Sequence, residues 1–303
     1  MLAIVIPFYK LTFFDATLSS LANQTDKRFK VYIGDDSSPE NPEILLIKNK
    51  EHFCFDYKKF ETNLGRKSLV QQWNRCIAMI KNEEWVMVLG DDDVLGQNAV
   101  AEFYKHLNQF KNAKVIRYAT CKIDAKGRST SELYTHPVTE SATDFLFRKT
   151  RSSLSEFIFS TVQLRKFGFQ DFPLAWYSDI LAVLEFAEFK TIYSINEATV
   201  YVRISNLSIS GSSDNLWLKT NAEFKFHNYL LTRKQVYFTA LQQEILFKRL
   251  NNCFIYNKRH FALFFKISRT HLINFSLLRY LDFIKSIFNA YFNKNHANRI
   301  QST

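Results

Sequence analysis

The sequence predicts an α/β protein: a mainly parallel sheet flanked by helices, followed by a helical, basic C-terminal segment. Three observations lead there. The runs "LAIVIPFY" (Leu2–Tyr9), "FKVYIGDD" (Phe29–Asp36) and "EWVMVLGDDD" (Glu84–Asp93) are continuously apolar and rich in β-branched residues. Strands covered on both faces read this way. Helical stretches alternate with them: Asp15–Ala22, and Ser68–Ile80 with apolar residues at Leu69, Trp73, Ile77 and Ile80. Such alternation marks a parallel sheet. The third observation is charge. Residues 1–214 carry 26 Lys/Arg and 26 Asp/Glu, whereas residues 215–303 carry 14 against 3 and hold the entire excess of +11. We therefore expect two regions, 1–214 and 215–303, with the boundary in the Ser/Asn/Gly-rich "RISNLSISGSSDN" (Arg203–Asn215), which reads as a mobile loop.

Composition narrows the class. The 303 residues are 47% hydrophobic, enough for a large core. Met1–Leu11 lacks the basic leader and small-residue cleavage site of a secretory signal, and no apolar run reaches the ~18–20 residues of a membrane span. The four cysteines are scattered without metal-ligand spacing, as expected in a reducing cytoplasm.

Several nucleotide motifs are missing. The seven glycines form no G-x-G-x-x-G loop and no P-loop. The seven histidines show no H-x-x-x-H pairing, so a His/Cys metal site is not expected. The acids remain. Ligands of open α/β sheets bind outside the carboxyl ends of the strands. That is where Asp35–Asp36 and Asp91, Asp92 and Asp93 fall. Three like charges beside a buried strand repel one another and lose hydration, so a partner outside the chain is expected to offset the cost. An all-oxygen site suits Mg²⁺ or Mn²⁺ bridging protein and diphosphate. The competing reading is a solvated acidic turn.

These elements resemble the inverting family-2 glycosyltransferases of the GT-A fold, a Rossmann-like architecture. "AIVIPFYK" resembles that family's opening strand and turn, and "VYIGDDSSPE" its nucleotide loop. "TNLGRKSLVQQWN" is similar to its Asn-x-Gly stretch and following helix, and "WVMVLGDDDVL" to its Asp-x-Asp element. "WYSDILAVLEFA" resembles its base element and "VYVRISNLSIS" its late Tyr/Arg loop. The six occur in family order over roughly residues 1–214. Gly90 stands where many members have a further acid, and the histidine expected after Arg203 is absent.

The resemblance implies an inverting, metal-dependent transfer of a sugar from a nucleoside-diphosphate sugar, expected to be a UDP-sugar, to a glycan hydroxyl. Hexosyl and N-acetylhexosaminyl groups are the expected cargo. Asp93 is the first choice as metal ligand, with Asp91 assisting, and Asp92 is expected to face ribose or sugar. Asp36 is expected to contact the base; a carboxylate accepting a pyrimidine N–H favours uracil over cytosine. The backbone at Pro7, Phe8 and Tyr9 borders the same nucleoside. Asn63, Gly65, Arg66 and Asn74 complete the donor set. Arg66 and Lys67 read either as diphosphate contacts or as a solvated basic turn, and Tyr9 as a stacking residue or core. Asp179 in "YSDIL" is the expected base, with Asp171 its nearest competitor and Glu185 set too far into the helix. By itself Asp179 also reads as a first-turn acid, with Ser178 capping. Trp176 and Tyr177 would stack on acceptor sugar, or Trp176 would be core, and Leu154–Val162 would line the acceptor cleft.

In the basic segment Leu277, Leu281, Ile284, Phe288 and Tyr291 recur at helical spacing. Phe and Leu with Lys and Arg on one helix suit an anionic membrane surface, the alternative being a face packed on the catalytic region. No recognised nucleic-acid fold accompanies the charge, so no nucleic-acid partner is expected. The overall expectation is a peripheral bacterial enzyme on the cytoplasmic face of the inner membrane, extending a lipid-linked polysaccharide or lipopolysaccharide. The rivals are a non-catalytic sugar-nucleotide-binding protein and a two-carboxylate glycoside hydrolase.

Overall fold

The computed structural model describes residues 1–110, 113–148, 153–205 and 215–292. It divides into two compact units, residues 1–214 and 215–303.

The first unit is built on a nine-stranded sheet. Strands β1 (Leu2–Phe8), β2 (Phe29–Asp35), β3 (Phe55–Lys59) and β4 (Trp85–Val88) run parallel in the order β3-β2-β1-β4. β1 and β4 are apolar throughout and β2 nearly so, as neighbours on both sides and both faces require. Next to β4 lies antiparallel β8 (Phe157–Ser160), then β6 (Val115–Ile123), which pairs in parallel with the long β9 (Thr191–Arg203). Short β5 (Val94–Leu95) and β7 (Thr139–Ser141) both pair antiparallel with β9. The parallel expectation from the three apolar runs thus holds across β3-β2-β1-β4 and again at β6/β9, while the strand inserted between them runs the other way.

Helices α1 (Phe14–Ala22), α2 (Glu43–Asn49), α3 (Leu69–Ile77) and α4 (Ala99–His106) connect the N-terminal strands. α3 starts where its sequence says: the Ser68 hydroxyl accepts from the Gln71 amide at 3.1 Å, satisfying one of the open N–H groups of the first turn. Three further helices follow, α5 (Ala142–Phe147), α6 (Thr161–Phe167) and α7 (Ser178–Phe186). The core is the apolar set of the strands with Phe14, Leu18 and Phe103 from the helices. Leu154–Val162, expected along a cleft, divides: its first two residues face the open side, and Phe157–Ser160 is a wholly buried strand. The side chains of all four strand residues are buried, so none faces the open side.

The second unit holds α8 (Leu216–Arg233), α9 (Ala240–Ile255), α10 (Phe261–Ile273) and α11 (Leu277–Phe292), with α9 in contact with each of the others. Thr239 and Gln242 form a reciprocal capping box that starts α9. Leu246, Phe247, Leu250, Phe254, Leu263, Ile267 and Phe283 are buried. His271 joins α10 to its neighbours: its ring lies 4.7 Å from that of Phe247, Nδ1 meets Ser276 Oγ at 3.0 Å, and Nε2 meets Asn251 Oδ1 at 3.0 Å. Burial pushes its pKa down to about 4. On α11 the stripe is not the packed face, which argues against the alternative that it packs on the catalytic region. Phe283 is the buried residue, whereas Leu277, Leu281 and Phe288 of the anticipated apolar stripe are exposed. Tyr291's side chain lies outside the described set, as do residues 206–214 of the expected mobile loop. Among the described residues no helix is long and apolar enough to cross a membrane.

Candidate active site

Strands β1, β2, β4 and β9 end at one cleft of about 900 Å³. Its walls collect Pro7, Tyr9 and Lys10 after β1, Asp36 after β2, and Asp91, Asp92 and Asp93 after β4. Asn63, Gly65 and Arg66 come from the loop before α3, and Trp176, Tyr177 and Asp179 from the start of α7. Residues up to 172 positions apart in sequence therefore meet because strand order, not chain order, decides what lies at a sheet's end.

Each acid has identifiable partners. The Asp36 carboxylate accepts from the Leu64 amide at 2.7 Å and the Gly65 amide at 2.8 Å, and pairs with Arg75 of α3. Gly65 has to be glycine, because a Cβ there would collide with Asp36 Oδ2. Asn63 Oδ1 accepts from the Arg66 amide at 2.8 Å and closes the same loop. Asp91 Oδ2 accepts from the amides of Tyr9 (2.8 Å) and Lys10 (3.0 Å), which ties the β4 end to the β1 end. Burial nevertheless pushes its pKa up to about 6. Asp93 is almost wholly buried: Oδ1 accepts from the Arg203 amide at 2.8 Å and Oδ2 from Ser155 Oγ at 2.5 Å. Burial also raises the pKa of Asp92. Arg203 lies behind this group. Its guanidinium donates to the carbonyls of Asp92 (2.8 Å) and Asp124 (2.7 Å) and sits 4.4 Å from the Phe13 ring centre.

These contacts correct several expectations. The chain itself supplies donors to the acidic triplet, so part of the cost assigned to an outside partner is met internally. Phe8 borders the cleft through no side chain: its ring is buried 4.5 Å from that of Phe14. Tyr9, by contrast, is exposed at the cleft and is not core. Asn74 is exposed and does not line the cleft. At ~100° per residue, the inward turn of α3 is occupied by Gln72, Trp73 and Arg75 instead. Lys67 is exposed outside the lining set. Asp171 is exposed, meets Gln71 Nε2 at 3.4 Å, and does not reach the cleft. Ser178 does not cap α7; its hydroxyl accepts from the Phe172 amide at 3.3 Å, and the cap position is Tyr177. Sequence reasoning passed over Lys10 and Trp73, which line the cleft, left Arg203 without a role, and placed Ser155 on the cleft only as part of the Leu154–Val162 run, with no role of its own. A serine next to a buried strand carries no signal of its own before the strand order is known.

Asp179 sits in the first turn of α7. The segment leading into it is strained. Leu174, Ala175 and Tyr177 have φ of 59°, 54° and 68°, a left-handed region that side chains other than glycine seldom adopt. Such strain persists only where surrounding structure enforces it, and it clusters at functional sites. Here it turns Trp176, Tyr177 and Asp179 to the cleft. Burial pushes the Asp179 pKa up to about 6.

Among the described residues no group of three or more His, Cys, Asp and Glu is arranged to hold a metal ion. The arrangement fits a cation of a different kind. A Cβ on Gly90 would stand 2.9 Å from Asp92 Oδ1 and 3.1 Å from Asp93 Oδ2, so two carboxylates close over that glycine. Two hard oxygen donors suit Mg²⁺ or Mn²⁺ if the ligand's phosphates supply the rest.

The fold and this cleft define an enzyme of the sugar-nucleotide-handling α/β class. The family model "Glycosyl transferase family 2" matches residues 3–172. The chain belongs to that family and is a glycosyltransferase. Solved structures agree in fold. S. aureus TarS 1–349 in complex with UDP-GlcNAc aligns at 16% identity with a TM-score of 0.64, covering 95% of this chain and 79% of that one. The UDP complex of TarS 1–349 aligns at 14% identity and 0.60, covering 99% and 91%. GalNAc-T7 with UDP, GalNAc and Mn²⁺ aligns at 10% and 0.52, covering 82% and 54%. Against a longer TarS structure the chain spans 43% of the relative's length. No curated protein sequence matches significantly.

A pH test follows from Asp179. A carboxyl whose folded pKa is raised to about 6 binds its proton more tightly folded than unfolded, where the value is near 4. Stability contributed by the protonated form is therefore lost as pH rises from about 4 to about 6. Asp179→Asn should match wild type near pH 4 and exceed it above pH 6, by at most about 3 kcal/mol. Urea denaturation at the two pH values measures this.

Proposed function

We propose that this chain is a metal-dependent, inverting glycosyltransferase moving a hexosyl or N-acetylhexosaminyl group from a UDP-sugar to a hydroxyl of a lipid-linked glycan or lipopolysaccharide. The observation carrying the reading is the meeting, in one cleft, of the strand-end acids Asp36, Asp91, Asp92 and Asp93 with the half-buried acid Asp179. The UDP-GlcNAc and UDP in the two TarS complexes support the choice of donor.

The roles follow from chemistry. In place of the expected Asp93–Asp91 pair, Asp93 and Asp92, whose carboxylates close over Gly90, would hold Mg²⁺ or Mn²⁺, while Asp91 Oδ2 is taken by the Tyr9 and Lys10 amides and keeps that backbone against the same end of the sheet. The cation, when bound, neutralises charge developing on the departing diphosphate. Asp36 Oδ1 accepts from Leu64 and Arg75 and Oδ2 from Gly65, and the one remaining lone pair, on Oδ2, can accept a uracil N–H. Pro7 and Tyr9 flank that position, and Arg66, exposed beside it, approaches the diphosphate. Trp176 and Tyr177 offer ring faces to an acceptor sugar. Asp179 takes the proton of the acceptor hydroxyl as that oxygen attacks the anomeric carbon from the side opposite the leaving group. A base with pKa near 6 is ionised at neutral pH yet basic enough to accept a proton, and activity should rise with pH through a midpoint near 6.

The second unit would seat the enzyme on an anionic membrane. The turn joining α10 and α11 and the helix ends beside it carry exposed apolar residues: Phe275 in the turn is 95% exposed, Leu278 of α11 79% and Leu272 of α10 71%. A patch of this kind marks a contact surface. The excess of +11 lies on the same unit, and each basic residue near an anionic leaflet is worth ~1 kcal/mol.

Three outcomes are expected. Asp93→Ala abolishes Mn²⁺-dependent UDP binding measured by calorimetry while the fold remains; undiminished affinity would sink the metal assignment. Asp179→Asn keeps UDP-sugar affinity and loses transfer by at least about 10²–10⁴-fold; near-normal turnover moves the base elsewhere. The full chain sediments with anionic liposomes, is released by high salt, and sediments less after Phe275→Ser with Leu278→Ser. Equal partitioning onto neutral and anionic liposomes at low salt would remove the electrostatic part.

A further inference from the structure

Ser155 is a buried hydroxyl for which the mechanism has so far no use. It lies on a 3₁₀ turn, Leu154–Glu156, that leads into β8. Its oxygen accepts from the Gly90 amide at 3.0 Å and its hydrogen goes to Asp93 Oδ2 at 2.5 Å. A serine hydroxyl has a single hydrogen. With the Gly90 N–H occupying a lone pair, that hydrogen is directed at the carboxylate.

The turn carrying Ser155 is itself held from behind. Glu156 Oε1 accepts from Arg117 Nε at 2.6 Å, and Oε2 accepts from the Ser153 amide at 3.2 Å. Both side chains of this ion pair are fully buried. Arg117 also lies 5.1 and 5.4 Å from the ring centres of Phe145 and Phe157, and 3.6 Å from Glu140. A buried ion pair is a poor device for stability, since desolvation consumes most of its attraction. It is a good device for fixing one arrangement, because either partner alone is penalised in any other. Here the arrangement fixed is the turn one residue away from the Asp93 contact.

We infer that Ser155 is a positioning residue for the Asp93 carboxylate, held in place by the buried Arg117–Glu156 pair, and that it sets the orientation in which Asp93 receives a divalent cation. The inference rests on the metal role proposed above. Hydrogen bonds to a ligating carboxylate restrict its rotation and tune its donor strength, and losing such a partner costs about 10–100-fold in metal affinity. With Arg203's amide on Oδ1 and Ser155 on Oδ2, both oxygens of Asp93 are oriented by the protein before any cation arrives.

The test titrates Mn²⁺ into the full chain at fixed UDP, following heat, and repeats the UDP titration in EDTA. Ser155→Ala should weaken apparent Mn²⁺ affinity about 10-fold or more, leaving UDP affinity in EDTA within error of wild type, at a temperature where both chains are shown folded by circular dichroism. Turnover should recover at high Mn²⁺, separating an effect on loading from one on chemistry. Ser155→Thr, which keeps the hydroxyl, should restore the wild-type Mn²⁺ response. An unchanged Mn²⁺ dependence in Ser155→Ala overturns the inference, as does an equal loss of UDP affinity with and without metal. Wild-type UDP binding is the separate check on the functional reading; the role of Ser155 is judged only by the difference between the chains.

Discussion

The site rests on one kind of interaction: a strand-end carboxylate accepting backbone N–H groups from a neighbouring loop. Asp35 takes the Ser38 amide, Asp36 those of Leu64 and Gly65, Asp91 those of Tyr9 and Lys10, and Asp93 that of Arg203. Loops leaving the ends of parallel strands have amides without ladder partners. A carboxylate there satisfies two needs at once, since charge-assisted bonds to amides are stronger than neutral ones. The acids are thus clips for the loops before they are ligands for anything else.

That dual use shapes the electrostatics. Hydrogen bonds from amides favour the ionised form, yet desolvation outweighs them at Asp91 and Asp179, which both move up to about 6. The cleft therefore concentrates carboxyl groups whose charge is incompletely compensated by the protein. A cation or a polar sugar that enters gains what the fold has left unpaid. The strained turn Leu174–Tyr177 is anchored separately, by burial of Ala175 and Ser178 on either side of its half-buried rings.

Specificity of arrangement comes from elements far from the chemistry. Arg117 on β6 has no path to the cleft, but it acts on it through Glu156 and the turn bearing Ser155. Arg203 acts through carbonyls of Asp92 and Asp124 and through its own amide. Close-packed interiors transmit such constraints because few side chains have alternative places to go.

Much was legible in the linear sequence. Apolar runs ending in acids located β1, β2 and β4 with their binding ends, and the charge census located the second unit. Both signals are local or additive, and neither depends on what lies across the sheet. Asp93 and Asp36 were picked out in the same way, as acids at the ends of apolar strands, whereas Asp179 was singled out by the family resemblance of "YSDIL" and on its own read only as a first-turn acid. The remainder needed the tertiary structure. Asn74 was expected in the donor set until the packing of α3 on β1 and β2 left it exposed and away from the cleft. Leu154–Val162 looked uniform until pairing between β4 and β6 buried Phe157–Ser160 and left Ser155 facing Asp93. The stripe on α11 had the right period, yet Phe283 was the residue that packed. Helical spacing fixes which residues share a face, whereas which face is buried is decided by partners distant in sequence, and a single chain does not display them.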